Sequence, residues 1–196
     1  MKPTVLSRRF RGLLPVVVDV ETAGLNSLTD ALLEVAAVIL AMGKDGKFCR
    51  EQTYAYHVEP FANARIEKVS LEITGIDPFS PLRFAIPERQ ALQRIFTMVN
   101  HQLERYDCYR AVLVGHNAWF DLSFLLAAAK RCGIRYQPFH TFTTFDTATL
   151  AAVSLGETVL ARAARRARIP FDMQQAHSAI YDAERTAELF CYIINQ

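Results

Sequence analysis

Residues 15–22 have the sequence PVVVDVET, a short β-branched run that Pro15 opens and Thr22 closes. Such a run, followed by a turn-forming Ala-Gly pair, predicts a buried strand. Side chains two positions apart on a strand share a face, so Asp19 and Glu21 are expected to project together. Two anions there repel each other and lose hydration unless protons or cations neutralise them. The pair is either a solvent-facing strand end or a site for divalent cations, and Mg²⁺ suits carboxylates with a substrate phosphate.

The segments that follow predict two further strands. Residues 30–40, DALLEVAAVIL, have a composition that suits either a helix or a strand. A strand over the second half is favoured, because GKDG at 43–46 predicts a hairpin turn and the stretch 48–58 is rich in strand formers. The N-terminal part of the chain is therefore predicted to form three antiparallel strands.

Farther along the chain, predicted helices alternate with predicted strands. The spacing of apolar residues predicts an amphipathic helix over 88–105, and Ala-Val-Leu-Val at 111–114 predicts a buried strand. Other helices are predicted over 66–73 (stopped by Gly75), 121–130, 157–168 and 179–194, with one more that Asp146 caps. The proline-rich stretch 77–87 is predicted to be a loop. This order is typical of an α/β fold, with a mixed sheet flanked by helices.

Length and composition limit the possible classes of protein. The 196 residues are predicted to form a single domain, 1–196, whose first ten residues are a flexible basic N-terminus. Charges interrupt the apolar stretches, so no membrane span is predicted, and the N-terminus lacks the apolar core of a secretory signal. We therefore expect a cytoplasmic protein. The four cysteines have no C-x-x-C spacing and are predicted to be free thiols rather than zinc ligands.

Basic residues form clusters on a chain whose net charge is only +2. One cluster precedes Asp19, a second surrounds residues 130–135, and a third spans residues 162–168. Each cluster is either a solvated face or a surface that binds phosphate groups.

Two further acids and one histidine lie in or next to the predicted strands and helices. Asp121 comes after the strand at 111–114, so its carboxylate could reach the same sheet edge as Asp19. Asp182 lies in the last helix, and His177 precedes it by five residues, roughly 140° away on a helix. His177 is therefore expected on the segment before the helix, where it could act as a general base. Each of these residues alone has an ordinary explanation. An acid in the first turn of a helix is favoured by the helix dipole, and a single histidine can simply be partly buried.

Three motifs resemble those of the DEDDh 3′→5′ exonuclease superfamily, in the same order and spacing. They are DVET at 19–22, HNAWFD at 116–121 and H-x-x-x-x-D at 177–182. The surrounding sequence is most similar to the ribonuclease T family. That similarity covers nearly the whole chain from about Arg9 and includes the stretches 15–24, 57–61, 75–78, 138–140, 144–147 and 175–186. The resemblance implies a ribonuclease H-like exonuclease fold.

The resemblance also implies the chemistry of the site. Asp19, Glu21, Asp121 and Asp182 would hold two Mg²⁺ ions, for which Mn²⁺ could substitute, and His177 would activate water. The chain would then be a 3′→5′ exoribonuclease that releases 5′-mononucleotides one at a time. Expected substrates are RNAs with a single-stranded 3′ end, such as tRNA and rRNA precursors, together with single-stranded DNA.

Other residues match family positions that bind substrate. Phe120 and Phe142 match positions of a base-stacking clamp, although both could instead be core aromatics, whereas Leu25 and Ile73 occupy clamp positions without a ring. The family implies a homodimer in which one subunit offers a basic patch to substrate bound by the other. Candidates for the patch are Arg9, Arg11, Lys130, Arg131 and Arg135. The single tryptophan, Trp119, is expected to be a packing residue.

Two alternatives remain open from the sequence. One is a DNA-directed proofreading exonuclease, since nothing in the predicted site excludes DNA. The other is a nucleic-acid-binding module of the same fold without catalytic activity. The presence of all five motif residues argues against the second.

Overall fold

The computed structural model describes residues 4–196, and its centre is a six-stranded sheet. The strands are β1 (Leu13–Thr22), β2 (Leu32–Met42), β3 (Phe48–Glu59), β4 (Ile86–Pro87), β5 (Arg110–Gly115) and β6 (Phe139–Asp146). Their order across the sheet is β4-β3-β2-β1-β5-β6. β1, β2 and β3 pair antiparallel, while β5 and β6 continue the sheet in parallel from β1. The predicted mixed sheet with three antiparallel N-terminal strands is confirmed.

Helices flank this sheet. They are α1 (Val5–Arg9), α2 (Lys68–Thr74), α3 (Glu88–Tyr106), α4 (Trp119–Arg131), α5 (Thr147–Leu155), α6 (Leu160–Arg166) and α7 (Ala179–Ile194). None of the helices in the described residues is long and apolar enough to cross a membrane. All four cysteines are free thiols, as predicted.

The strand β1 lies in the middle of the sheet, which explains its sequence. Val16, Val17 and Val18 are fully buried, so both faces of this part of the strand are covered by other elements. A strand covered on both faces has a continuous apolar run instead of alternation. Because β1 and β5 are parallel, their carboxyl ends meet at the same edge, where Asp19 and Glu21 lie.

The predicted hairpin connects β2 to β3. The Gly43 amide donates to the Lys47 carbonyl across 2.8 Å, and Gly46 has a φ of 78°. The segment 30–40, whose composition left helix and strand open, becomes the strand β2 from Leu32 onward. Its apolar residues are buried because β2 also lies inside the sheet.

Several predicted boundaries differ from those observed, including the start of α2, which begins at Lys68 and not at 66. The helix expected over 157–168 is only Leu160–Arg166, because Gly156 ends α5 with a φ of 69° and Val159 is extended. The loop predicted over 77–87 contains a 3₁₀ turn, Pro81–Arg83, and the two-residue strand β4. The helix α4 begins two residues earlier than the predicted 121.

The first ten residues were predicted to be a flexible basic N-terminus, and part of this segment packs on the core. Residues 1–3 lie outside the described residues, but α1 is a helix whose Leu6 is 1% exposed. Phe10 packs against Phe48 and Phe145 with tilted rings, whose centroids are 5.8 and 5.0 Å away. The two apolar side chains, four residues apart, anchor this segment to the core despite its positive charge.

The helix α7 packs on β1, β2 and β3 through small residues. Ala179, Ala183 and Ala187 are spaced four apart and are almost completely buried. Small side chains on one helical stripe let the helix approach the sheet closely. This packing brings the first turn of α7 to the sheet edge that carries Asp19 and Glu21.

Candidate active site

All five motif residues line one open cavity of about 650 Å³ at the carboxyl end of β1. Asp19 and Glu21 come from β1, Asp121 from the first turn of α4 and Asp182 from the first turn of α7. His177 precedes α7 by two residues. The structure therefore brings together the whole set that the sequence nominated, from segments as far apart in the chain as residues 19 and 182.

Asp121 is held in place by the backbone around it. Its Oδ1 accepts a hydrogen bond from the Val20 amide across 3.0 Å, and the residue is 4% exposed. The turn before α4 approaches closely: a Cβ placed on Gly115 would lie 3.0 Å from Oδ2 of Asp121 and 3.0 Å from Cα of Ala118. Glycine at 115 therefore leaves the room in which the carboxylate sits.

The carboxylates resist ionisation in the absence of a cation. Burial raises the pKa of Glu21 to about 8, and repulsion by Asp182, Glu34 and Asp121 adds to this effect. Burial likewise raises the pKa of Asp121 to about 8. The pKa of Asp19 is held well above its usual range by burial and by the neighbouring carboxylates. Such a cluster gains free energy when a positive charge enters it.

The residues present fit a divalent cation. Glu21, His177 and Asp182 each offer one ligand atom, and the three atoms lie within 4.8 Å of one another. Oδ1 of Asp182 is buried without a hydrogen-bond partner. Carboxylate oxygens are the ligands that Mg²⁺ prefers, and a buried oxygen that lacks a donor is available to such an ion.

His177 occupies an exposed turn at the mouth of the cavity. Its backbone has a φ of 65°, and its amide donates to Oδ2 of Asp182 across 3.0 Å. A left-handed conformation is uncommon for a residue other than glycine, and it costs free energy that the surrounding contacts must offset. The backbone bond to Asp182 thus fixes the histidine segment relative to a proposed metal ligand.

Sequence reasoning missed Glu34, which connects the site to two neighbouring strands. In the sheet register Glu34 lies opposite Glu21 on one side and His57 on the other. Its Oε1 is 2.9 Å from Nδ1 of His57, and its Oε2 accepts from the Ala179 amide across 3.3 Å. An acid inside the apolar run at 30–40 was the available signal, and it needed the strand register to be interpreted.

His116 also lines the cavity without having been assigned a role. Burial lowers the pKa of its imidazole. Nε2 lies 2.8 Å from the Thr158 carbonyl and donates to it, while Nδ1 lies 3.0 Å from Oγ1 of Thr147, whose hydroxyl donates to the Gly115 carbonyl. His116 therefore fixes the Thr158 segment to the start of α5. Asp146 caps that helix as predicted, accepting from the Thr149 amide across 3.1 Å.

The predicted clamp residues fall into two groups. Phe120 and Leu25 line the cavity, and Phe120 is half-buried with its ring centroid 5.0 Å from that of Phe124. Phe142 and Ile73 are not among the residues that line the cavity, and both are exposed. Phe142 is 92% exposed, so the alternative that it is a core aromatic is wrong.

Trp119 differs from the packing role that was predicted. Its side chain is 66% exposed and lines the same cavity as the motif residues. Trp119 is the first residue of α4 and its side chain faces away from the core. Leu122, Phe124 and Leu125 are the residues of this helix that pack in the core.

The predicted basic residues lie outside the cavity lining. Arg11, Lys130 and Arg135 are exposed, and Arg9 donates from Nη2 to the Ile194 carbonyl across 2.7 Å. Arg131 is different. Its guanidinium binds both carboxylate oxygens of the buried Glu88, at 2.6 and 3.0 Å, so it stabilises the fold and does not belong to a free patch.

Comparison with known proteins gives one consistent group. A family model described as an exonuclease, RNase_T, matches residues 16–190. Ribonuclease T of Hahella chejuensis is 60% identical over 191 residues, which cover 97% of this chain and 88% of the relative. Ribonuclease T of Vibrio cholerae is 54% identical over 192 residues, which cover 97% of this chain and 86% of the relative.

Solved structures agree in fold. The nuclease domain of 3′hExo, a DEDDh family member bound to rAMP, superposes with a TM-score of 0.71 at 17% identity, covering 92% of this chain and 91% of that domain. Exonuclease I of E. coli in complex with a dT13 oligonucleotide gives a TM-score of 0.69 at 17% identity, covering 91% of this chain and 40% of the larger protein. These likenesses confirm the predicted DEDDh exonuclease fold.

Proposed function

This chain belongs to the ribonuclease T family of exonucleases, and we propose that it is a Mg²⁺-dependent 3′→5′ exoribonuclease that trims single-stranded 3′ ends of structured RNAs. Expected substrates are tRNA ends and the precursors of tRNA and rRNA. The observation that carries the proposal is the cavity at the end of β1, where four carboxylates and His177 converge. The same convergence argues against the alternative of a binding module without catalytic activity.

The acids would form the cation site. Asp19, Glu21, Asp121 and Asp182 would hold two Mg²⁺ ions, with Mn²⁺ as a possible substitute; when bound, such ions neutralise phosphate charge and lower the pKa of water. The protein's own contribution is orientation. The Val20 amide fixes Asp121, and the His177 amide fixes Asp182, so both carboxylates keep their positions when substrate enters.

His177 would act as the general base. Its side chain lies at the mouth of the cavity beside Glu21 and Asp182, where it can take a proton from water attacking the terminal phosphodiester. The hydrolysis breaks the P–O3′ bond, so the leaving oxygen stays on the shortened RNA and the released nucleotide carries a 5′-phosphate. The exposed position of His177 lets the proton pass to solvent between turnovers.

The remaining predicted residues would contact the RNA. Phe120 and Leu25 line the cavity and could contact the terminal bases, whereas Phe142 and Ile73 lie outside it and could contact bases farther along the strand. A homodimer is proposed as well. Lys130 follows Asp121 by nine residues on α4, about 14 Å along the helix, which is a suitable place for contacts to RNA bound by a second subunit. The free thiols fit a reducing compartment and support the expected cytoplasmic location.

A gel assay tests this function. A 3′-overhang RNA and its DNA counterpart are incubated with Mg²⁺ or EDTA, using the wild type, Asp19→Asn and the exposed surface variant Glu104→Gln. Stepwise shortening of the RNA that is lost with EDTA and with Asp19→Asn, but kept in Glu104→Gln, is the expected result. Shortening of DNA alone would move the assignment to a proofreading type of exonuclease. Binding without shortening of either strand would indicate the non-catalytic module.

A further inference from the structure

The single tryptophan of the chain is exposed beside the proposed catalytic groups. Trp119 is 66% exposed and lines the cavity that also contains Asp19, Asp121 and His177. We propose that its indole ring is a stacking surface for a base at the 3′ end of the bound nucleic acid. This inference rests on the proposed function and adds to it a residue that strengthens binding of the terminal bases.

The orientation of the indole ring supports this role. Its centroid is 5.8 Å from that of Phe120, with an angle of 86° between the two planes. Phe120 in turn contacts the fully buried Phe124, so the tryptophan is supported by an aromatic chain that reaches the core. An edge-to-face contact of this kind restrains a ring while leaving a large part of its surface free.

The fold itself does not need the indole. Leu122, Phe124 and Leu125 attach α4 to the core, and all three are buried. An aromatic side chain that is two-thirds exposed within a cavity gives up most of the stabilisation that its burial would provide. The residues that line the cavity divide into polar ones, including the carboxylates, and apolar ones, including Trp119, Phe120 and Leu25. This division matches a nucleotide, whose phosphate is anionic and whose base has an apolar face.

The ligand class follows from that division. Every base has a π-face, so stacking on an indole ring tolerates different bases and distinguishes a nucleotide from a sugar phosphate. The tryptophan also supplies an aromatic surface in a cavity whose Leu25 side chain has no ring. We expect it to tighten binding of the terminal nucleotides with little preference among bases.

Fluorescence provides a direct measurement, because Trp119 is the only tryptophan. The full-length protein in Mg²⁺ is excited at a wavelength selective for tryptophan and titrated with adenosine 5′-monophosphate, which has no phosphodiester bond to hydrolyse. Saturable quenching is expected with this nucleotide and not with ribose 5-phosphate, which keeps the phosphate but lacks the base. Equal responses to both ligands, or no response at concentrations that inhibit RNA shortening, would overturn the proposal.

Kinetics with matched variants provides the second measurement. Trp119→Ala should raise KM for a short RNA about tenfold, in line with the contribution of stacking to binding, while changing kcat less. Trp119→Phe should recover most of that loss, because a phenyl ring still stacks. Tyr109→Ala is the control, since Tyr109 is 70% exposed and lines a different cavity. A wild-type KM in Trp119→Ala would exclude the stacking role.

Failure of this inference can be told apart from failure of the proposed function. If the wild type shortens RNA but Trp119→Ala has a wild-type KM, the stacking role alone is wrong. If the wild type shortens no RNA while the nucleotide still quenches Trp119 and ribose 5-phosphate does not, the binding surface stands and the catalytic proposal is wrong.

Discussion

The Val20 amide donates to Oδ1 of Asp121 across 3.0 Å, and this bond joins the central strand β1 to the first turn of α4. Val20 lies between Asp19 and Glu21, so the backbone that carries two of the acids also orients the third. The bond persists whatever the charge state of the neighbouring carboxylates, because a backbone amide has no alternative form. Asp121 is therefore positioned by the fold itself and not by a ligand.

Gly115→Ala should disturb Asp121. The added methyl would lie 3.0 Å from Oδ2 of Asp121 and 3.0 Å from the Cα of Ala118, so the first turn of α4 must shift by a few tenths of an ångström. We expect a loss of about 1–2 kcal/mol in the free energy of unfolding and a loss of activity of tenfold or more. Thermal denaturation and kcat check these values.

Gly43→Ala is the control for this substitution. Its methyl would meet Oδ1 of Asp45 at 2.7 Å, but that atom is the end of an exposed side chain that can rotate away. The control should therefore keep nearly the wild-type kcat. Equal activity in Gly115→Ala and Gly43→Ala would contradict the packing argument.

The stability of the metal-free protein should fall as the pH rises from about 5 to about 8. Glu21 and Asp121 have folded-state pKa values of about 8, above the ordinary values of 4.5 and 3.8, so the folded protein holds more protons than the unfolded chain in this range. By linkage, the free energy of unfolding then decreases with pH. Melting temperatures in EDTA across this range give the slope.

Addition of Mg²⁺ should raise the melting temperature more at pH 8 than at pH 5, because at pH 5 the cation must displace protons. Glu21→Gln should reduce the slope measured in EDTA, since the amide does not ionise. A melting temperature in EDTA that stays flat or rises between pH 5 and pH 8 would contradict the assignment of raised pKa values to this cluster.

Most of the fold could be predicted from the sequence, because the central strands and helices follow from local sequence patterns. The β-branched run at 15–22, the hairpin GKDG at 43–46 and the periodicity over 88–105 each became the element that was predicted. The ends of elements were less predictable, since they depend on single backbone conformations, such as the φ of 69° at Gly156. The packing of the N-terminal segment could not be predicted, because its composition shows only its basic character and the contacts of Leu6 and Phe10 are tertiary.

The candidate site was predictable to the extent that it follows strand periodicity and motif spacing. Asp19 and Glu21 share a face by strand geometry, Asp121 follows a strand that was expected to end at the same sheet edge, and the resemblance joined His177 and Asp182 to them. Glu34 could not be found in this way, because its relation to Glu21 and His57 depends on register across three strands. Trp119 was assigned to packing because an apolar residue beside a motif gives no sign of its exposure.

Glu34 should act as a positioning residue for the His177 segment. Its Oε2 accepts from the amide of Ala179, the first residue of α7 and two residues after His177. Glu34→Ala removes this acceptor and should lower kcat about tenfold with a smaller change in KM, because the histidine is then less well oriented.

Glu34→Gln is the matched variant. The amide oxygen can still accept from Ala179, and the amide nitrogen can donate to Nδ1 of His57, which lies 2.9 Å from Oε1 in the wild type. This variant should recover most of the kcat. If Glu34→Gln is as inactive as Glu34→Ala, the role depends on the charge and not on the hydrogen bond, and the positioning argument fails.

Substitution of Arg131 should lower the stability of the fold, whereas substitution of the adjacent Lys130 should leave stability nearly unchanged. Arg131 binds Glu88, whose side chain is 6% exposed, so Arg131→Ala leaves a buried carboxylate without its partner. We expect a loss of about 2–4 kcal/mol in the free energy of unfolding, a little below the range for a fully buried pair, because Arg131 remains 21% exposed. Urea denaturation measures this loss.

Lys130 is exposed at the end of α4, so Lys130→Ala should leave stability within about 0.5 kcal/mol of the wild type. If Lys130 contacts an RNA phosphate, the substitution should weaken RNA binding and reduce the slope of log affinity against log salt by about 1. Fluorescence anisotropy of a labelled RNA across a salt series measures the slope, and Glu104→Gln provides the surface control. A slope equal to that of the wild type would remove Lys130 from the proposed basic patch, which would then consist of Arg9, Arg11 and Arg135.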